Sequence, residues 1–310
     1  MRARNIHATA GVVRHMADRL RRSLHRREAR AFAVSWSAAV LAGCSVPGPM
    51  APSAAVKVLE RTEYSLADGT PGSYLRAGDP DGPRLIYVHG SPGDAKAFAD
   101  DLVEPVPGFE SVSMDRPGFG TLRHTGPVTS FEMQARAIEP LLVQRDGQWP
   151  ILIGHSLGGP IIARAAADFP DRVDGLVIVA GSLDPALEKL RWFNHIAAAP
   201  PVRWILPGAI KTSNAEMFAA FDETTELAGV LGRVRCPVAI VHGTQDGLVP
   251  VANVDYTRRM LTNAAAIRVD VLDDQGHFLV WNRAGRAAIR QAIDWARTAS
   301  TADLHRSHAR

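Results

Sequence analysis

Cysteine is nearly missing from this chain: 310 residues hold two, Cys44 and Cys236. Two thiols cannot build the disulfide framework that staples small secreted folds, so a hydrophobic core must hold the chain together. A long apolar run is missing too. The stretch Ala31 to Leu41 is too short to cross a bilayer as a helix. No internal repeat is present, which argues against a solenoid or propeller. The body also lacks a basic surface. The formal net charge is +3, but residues 1–43 carry nine arginines against Asp18 and Glu28, a balance of +7 that leaves −4 for the rest. A mildly acidic body offers no electrostatic argument for binding nucleic acid.

What is present points elsewhere. With 46% hydrophobic and 22% charged residues, the chain has the composition of a globular protein long enough to bury one large domain. Its basic start is itself patterned. Arginines from Arg19 to Arg30 precede the apolar run, which ends in Leu41-Ala42-Gly43-Cys44. That ending resembles the lipobox of bacterial lipoprotein signal peptides. The resemblance implies cleavage before Cys44, lipidation of its thiol, and a protein anchored to a membrane of the bacterial cell envelope. A plain secretory signal, leaving the protein secreted or periplasmic, is the alternative. Residues 1–43 then form the signal peptide and 44–55, rich in proline, serine and alanine, a flexible tether. Cys236, at the head of an apolar run, reads as a small buried hydrophobe.

Residues 56–300 alternate strand and helix signals. Val56–Tyr64 and Gly72–Ala77 read as an opening antiparallel pair. Arg84–Val88, Ser111–Met114, Ile151–Ile153, Leu176–Ala180, Val238–Val241 and Ile267–Leu272 are short runs rich in valine and isoleucine, the pattern of parallel strands buried on both faces. Helical patterns near 95–103, 130–143, 157–169, 250–261 and 279–297 lie between them. The expectation is an α/β fold with a mostly parallel, doubly wound sheet. From about 182 to 235 the strand signal lapses, and prolines punctuate helix-like pieces holding Trp192, Phe193, Trp204, Met217, Phe218 and Phe221. This interval reads as a helical cap inserted after the sixth strand. Residues 301–310 are expected to form a disordered tail.

The chemistry centres on Gly154-His155-Ser156-Leu157-Gly158, an apolar strand entering a Gly-x-Ser-x-Gly turn from which a small-residue helix leaves. Three further motifs stand in order around it: His89-Gly90-Ser91-Pro92-Gly93, Asp115-Arg116-Pro117-Gly118-Phe119-Gly120, and the pair Asp246 and His277. Together they resemble the α/β-hydrolase superfamily over roughly residues 56–298. A serine hydroxyl needs a base within hydrogen-bond reach, and the base needs an orienting acid. Ser156 is the candidate nucleophile, His277 the base and Asp246 the acid, with Asp184 as the alternative acid. The oxyanion hole needs two preorganised N–H donors. Leu157, just after the nucleophile, supplies one. The loop after Val88 supplies the other, where Pro92 has no N–H and Ser91 has one. The Asp115–Gly120 turn reads as architectural.

A serine at the apex, where haloalkane dehalogenases and epoxide hydrolases of this fold attack with a carboxylate, implies acyl transfer to water with no cofactor or metal. The expected substrate is a small or medium apolar ester. An aminopeptidase resembling proline iminopeptidases is the alternative, with Glu216, Asp222, Glu223 and Glu226 of the cap available to hold a free amine. A carbon–carbon bond hydrolase and a non-catalytic binding protein of the same fold are further alternatives.

Overall fold

The computed structural model describes residues 48–50 and 53–307; the segment 1–43, Cys44 and residues 45–47 and 51–52 of the expected tether lie outside them. A short helix α1 (Ser53–Lys57) leads into β1 (Glu60–Ser65) and β2 (Pro71–Gly78). Residues 53–55, expected in the tether, and 56–57, expected in the first strand, are therefore helical. The Met50 N–H donates to Asp100 Oδ2 at 3.0 Å, and Ala54, Ala55 and Val56 are helical, so the opening strand begins only at Glu60.

Then follow β3 (Arg84–Val88), α2 (Ala99–Val103), β4 (Glu110–Asp115), α3 (Phe131–Ile138), β5 (Ile151–His155), α4 (Gly158–Asp168) and β6 (Gly175–Val179). The interval after β6 holds three helices and no strand: α5 (Trp192–Ala198), α6 (Pro200–Ile205) and α7 (Gly208–Ala228). The chain closes with β7 (Val238–Gly243), α8 (Ala252–Met260), β8 (Ile267–Leu272) and α9 (Arg283–Ser307). Residues 301–307 continue α9 rather than forming an irregular tail.

The eight strands form one sheet in the order β1-β2-β4-β3-β5-β6-β7-β8. β1 and β2 pair antiparallel, as do β2 and β4; every other pairing is parallel. Successive side chains of a strand point to opposite faces, and here each face has its own core. Ile86, Val88, Leu152 and Ile178 pack with Ile161, Ile162 and Ala165 of α4. Leu85, Tyr87, Ile153 and Val179 pack with Ile289, Ile293 and Ala296 of α9. Strands buried on both sides can be apolar throughout, and this explains their short hydrophobic runs. Cys236 belongs to the first core, where burial pushes its thiol up to about 12. It stays protonated at neutral pH and is no nucleophile.

β8 departs from its expected burial. It is an edge strand, with Val269 and Val271 exposed and an Arg268–Asp270 ion pair at 2.8 Å along it. Charge on an exposed edge discourages pairing with a second sheet.

The strand order locates the site. From β3 the chain moves to β4 on one side and then returns to β5 on the other. The C-terminal ends of β3 and β5 thus lie side by side at the point where the winding reverses, and a crevice opens there in such sheets. His89-Gly90-Ser91 leaves one of these strands and Ser156 leaves the other.

Candidate active site

Ser156 sits where β5 must turn sharply into α4. Its φ is +54°, in the left-handed region. A non-glycine residue held there stores about 1–3 kcal/mol of strain, which the surrounding structure must over-determine. The means are visible. Ser156 N–H donates to Val179 O on β6 at 2.9 Å. A Cβ on Gly158 would fall 2.2 Å from Val88 O, so the first turn of α4 packs against β3 only because that residue has no side chain.

The loop after β3 closes on the serine from the other side. A Cβ on Gly90 would lie 2.8 Å from Ser156 Cβ and 3.2 Å from His155 O. The Gly90-Ser91 backbone therefore runs directly against the elbow. Among the described residues, the N–H groups of Ser91 and Leu157 have no partner within the chain.

Asp246 follows β7 in a turn that its own carboxylate organises. Oδ1 accepts the N–H groups of Leu248 at 2.9 Å and Val249 at 2.8 Å. Oδ2 lies 2.7 Å from His277 Nδ1, and the Asp246 side chain is fully buried. Burial by itself raises the Asp246 carboxyl. The hydrogen bond and charge of His277, with the two N–H donors, outweigh it and hold the carboxyl below its ordinary value. The loops carrying the two residues are cross-tied: Gln245 N–H donates to Gln275 O at 2.8 Å and Gln245 Nε2 to Asp274 Oδ1 at 2.8 Å.

Asp184 is engaged elsewhere. Its Oδ1 accepts the Ala186 N–H at 2.9 Å and caps the turn at 185–187, at the root of the cap, with no contact to His277.

A profile of the alpha/beta hydrolase fold matches residues 83–205, and one of the prolyl oligopeptidase family matches 145–302. The two overlap on the elbow. The chain belongs to the α/β-hydrolase superfamily. It is 28% identical over 246 residues to a non-heme chloroperoxidase of Streptomyces lividans, covering 64% of this chain and 88% of that protein. It is 22% identical over 294 residues to Lipase 1 of Psychrobacter immobilis, covering 79% and 90%. The solved structure of a monoacylglycerol lipase of Paleococcus ferrophilus superimposes with a TM-score of 0.56 at 19% identity, covering 74% of this chain and 99% of that one. A bacterial membrane phospholipase A gives 0.60 at 18% identity, with 90% and 99% covered.

Three histidines of this hydrolase brace the site without standing in it. His155 Nε2 meets His277 O at 3.0 Å, and their rings lie 4.8 Å apart. His242 Nε2 meets Val249 O at 3.0 Å beside Asp246. His89 Nε2 accepts the Arg116 N–H at 3.2 Å, so its proton is on Nδ1, which donates to Gly90 O at 2.7 Å. Burial keeps all three neutral. Burial and then the neighbouring His277 lower His155 to about 3; burial and then Arg116 take His89 well below its ordinary value; burial lowers His242 despite Val249 O and Asp246.

These rings make the fold sensitive to mild acid. An unfolded histidine takes up a proton near pH 6.5, whereas the folded rings resist. The unfolded state thus binds more protons as pH falls below 6.5, and stability that is complete above that value is lost as pH falls toward 3. Asp101, pushed up to about 6 by burial, acts in the opposite sense, as do Asp174, Glu188 and Glu223, which burial also raises, but carboxyls ordinarily titrate at about 4, below the span in which the three rings begin to charge. The urea midpoint is expected to drop between pH 7.5 and pH 5.5. Equal midpoints would contradict the neutral assignment.

Two more residues come to the site in roles that the sequence did not suggest. Arg116, in the turn read as architectural, and Glu216, in the cap, form a fully buried ion pair at 2.6 Å beside Gly90 and Ser91. Asp115 fits the architectural reading: it is buried and accepts the Ala95 N–H at 2.8 Å and Arg61 Nη1 at 2.6 Å. No spacing signal joins Arg116 to a residue one hundred positions away.

Proposed function

We propose that this protein is a serine hydrolase that cleaves ester bonds through an acyl-enzyme. The observation that carries the reading is the buried 2.7 Å bond between Asp246 and His277 in a chain whose elbow serine lies against the Gly90-Ser91 loop. Ser156 Oγ attacks the ester carbonyl while His277 Nε2 takes the hydroxyl proton. The carbonyl oxygen becomes an oxyanion facing the N–H groups of Ser91 and Leu157. As the carbon–oxygen bond to the alcohol breaks, His277 returns the proton to the leaving oxygen. Water then repeats the sequence on the acyl-enzyme and releases the acid. Asp246 holds the imidazole with its proton on Nδ1 and stabilises the imidazolium.

Names among the relatives, lipases and a phospholipase, support ester chemistry. Exposed Trp192, Phe218 and Phe221 on the cap helices support an apolar acyl group of small or medium size. Two of the four acids named for the free-amine reading are engaged elsewhere. Glu216 is committed to Arg116, and Glu223 accepts the Phe131 N–H at 2.7 Å.

A fluorophosphonate probe is expected to label the full chain once, with the adduct on Ser156 by mass spectrometry. No adduct, or one elsewhere, would sink the reading. Nitrophenyl esters run beside aminoacyl nitroanilides divide esterase from peptidase.

The expected site of lipidation, Cys44, lies outside the described residues, and among those residues no helix is long and apolar enough to cross a membrane. We propose attachment to the cell envelope through Cys44, supported by the Leu41-Ala42-Gly43-Cys44 sequence. Expression of Cys44→Ser in a bacterial host is expected to move the protein out of the membrane fraction, and unchanged fractionation would refute lipidation.

A further inference from the structure

The Arg116–Glu216 pair is shut off from water, and two buried charges recover their lost hydration only through well-placed bonds. Where those bonds go is informative. Arg116 Nη2 donates to Gly90 O at 2.9 Å. Glu216 Oε2 accepts from the Ser91 hydroxyl and from Arg116 Nη2 at 3.2 Å, and Oε1 accepts from Gln134 Nε2 at 3.0 Å. Gln134 Oε1 in turn accepts from Arg116 Nη1 at 2.5 Å.

Gly90 O and the Ser91 N–H are two ends of a single peptide group. In a trans peptide these lie in one plane and point in opposite directions. Gripping the oxygen therefore aims the N–H. Here the oxygen is gripped twice, by the Arg116 guanidinium and by His89 Nδ1 at 2.7 Å. A cation on the carbonyl also draws electron density away from the nitrogen, and in a dry site this makes its N–H a stronger donor. The residue bearing that N–H is held separately, through its hydroxyl, by the carboxylate that holds the guanidinium. Glu216 belongs to the long cap helix α7, so the cap reaches down to this peptide.

We propose that Arg116 and Glu216 are positioning residues for the oxyanion hole. Together they clamp the Gly90-Ser91 peptide so that its N–H faces the developing oxyanion, and they make that donor depend on the cap being seated. The proposal rests on the acyl-enzyme reading of Ser156. It differs from a plain tie between cap and core, which would affect melting but not the chemical step.

The test uses the full chain and four variants: Arg116→Lys, Glu216→Gln, the double variant Arg116→Met/Glu216→Leu, and Ser91→Ala. The double variant replaces the ion pair by apolar side chains of similar size and leaves no buried charge unpaired. Each variant is melted first. Then kcat and KM are measured on a nitrophenyl ester, with inhibition by a trifluoromethyl ketone whose adduct places an oxyanion in the hole. Loss of a whole oxyanion donor costs about 100- to 1,000-fold in kcat, so a donor left in place but unclamped is expected to cost about 10- to 100-fold. KM should change little, and ketone affinity should fall in proportion to kcat/KM.

A folded charge variant with kcat near wild type, or one that changes KM alone, overturns the proposal. If every charge variant unfolds, Ser91→Ala decides, because it keeps the pair and removes only the hydroxyl contact. A several-fold fall in its kcat supports the clamp, and wild-type kcat overturns it. A wild-type chain that takes no fluorophosphonate at Ser156 and hydrolyses no ester refutes the acyl-enzyme reading instead, so the two failures are distinct.

Discussion

Ser156→Ala is expected to lower ester turnover by roughly 10⁴- to 10⁶-fold with KM little changed. Without Oγ no acyl-enzyme can form, and the remaining rate comes from water attacking a substrate still held against the N–H groups of Ser91 and Leu157. The folded state should not suffer. Alanine meets the same left-handed strain at φ +54°, and the main-chain bond to Val179 O does not involve the side chain. Turnover of a nitrophenyl ester, a thermal melt and mass spectrometry of the fluorophosphonate adduct check it together. A well-folded variant within tenfold of wild type would remove Ser156 from the mechanism.

Asp246→Asn is expected to cost about 10⁴-fold in kcat near neutral pH, again without unfolding. The local bonds explain why a nearly isosteric change does so much. Leu248 and Val249 present N–H donors to Oδ1, so an asparagine there keeps its carbonyl oxygen on that side and turns its NH₂ toward His277. An NH₂ donates to Nδ1, which forces the imidazole proton onto Nε2, the atom that must accept the serine proton. The base is then in the wrong tautomer. Asp184→Asn is the matched control: its carboxylate caps a turn, so kcat should stay near wild type. Reversed outcomes for the two variants would make Asp184 the acid.

How much of this could be read along the chain depends on how local the cause is. The limits of β3 coincide with a run of apolar and β-branched residues bounded by loop residues, because short buried strands need that composition and little else, and the limits of β8 follow a similar run. The elbow was legible for a similar reason: glycine at 154 and 158 is demanded by contacts within a few residues and one neighbouring strand. Asp246 and His277 each stand at a strand end, and the fold's resemblance supplied their pairing. The same local rules misjudged the margins. Ile267–Leu272 has the composition of a buried strand, yet its place at the sheet edge leaves Val269 and Val271 in solvent. Residues 53–57 read as tether and strand, because nothing nearby in sequence shows that Met50 docks on Asp100.

The amino-acid order by itself determined the alternating strand and helix pattern, the serine at a strained turn, and the histidine and acids available to serve it. Each follows from backbone preference, side-chain periodicity or the chemistry of a single residue type. Only the tertiary structure decided which acid meets His277, how the loop after β3 backs onto Ser156, and where Arg116 and Glu216 meet. The physical reason is burial. In sequence, Arg116 reads as part of an architectural turn and Glu216 as one of four cap acids available to a free amine. When folding brings α7 down over the β3 loop, water is expelled from both, and their charges are satisfied by each other, by Gln134, by Gly90 O and by the Ser91 hydroxyl.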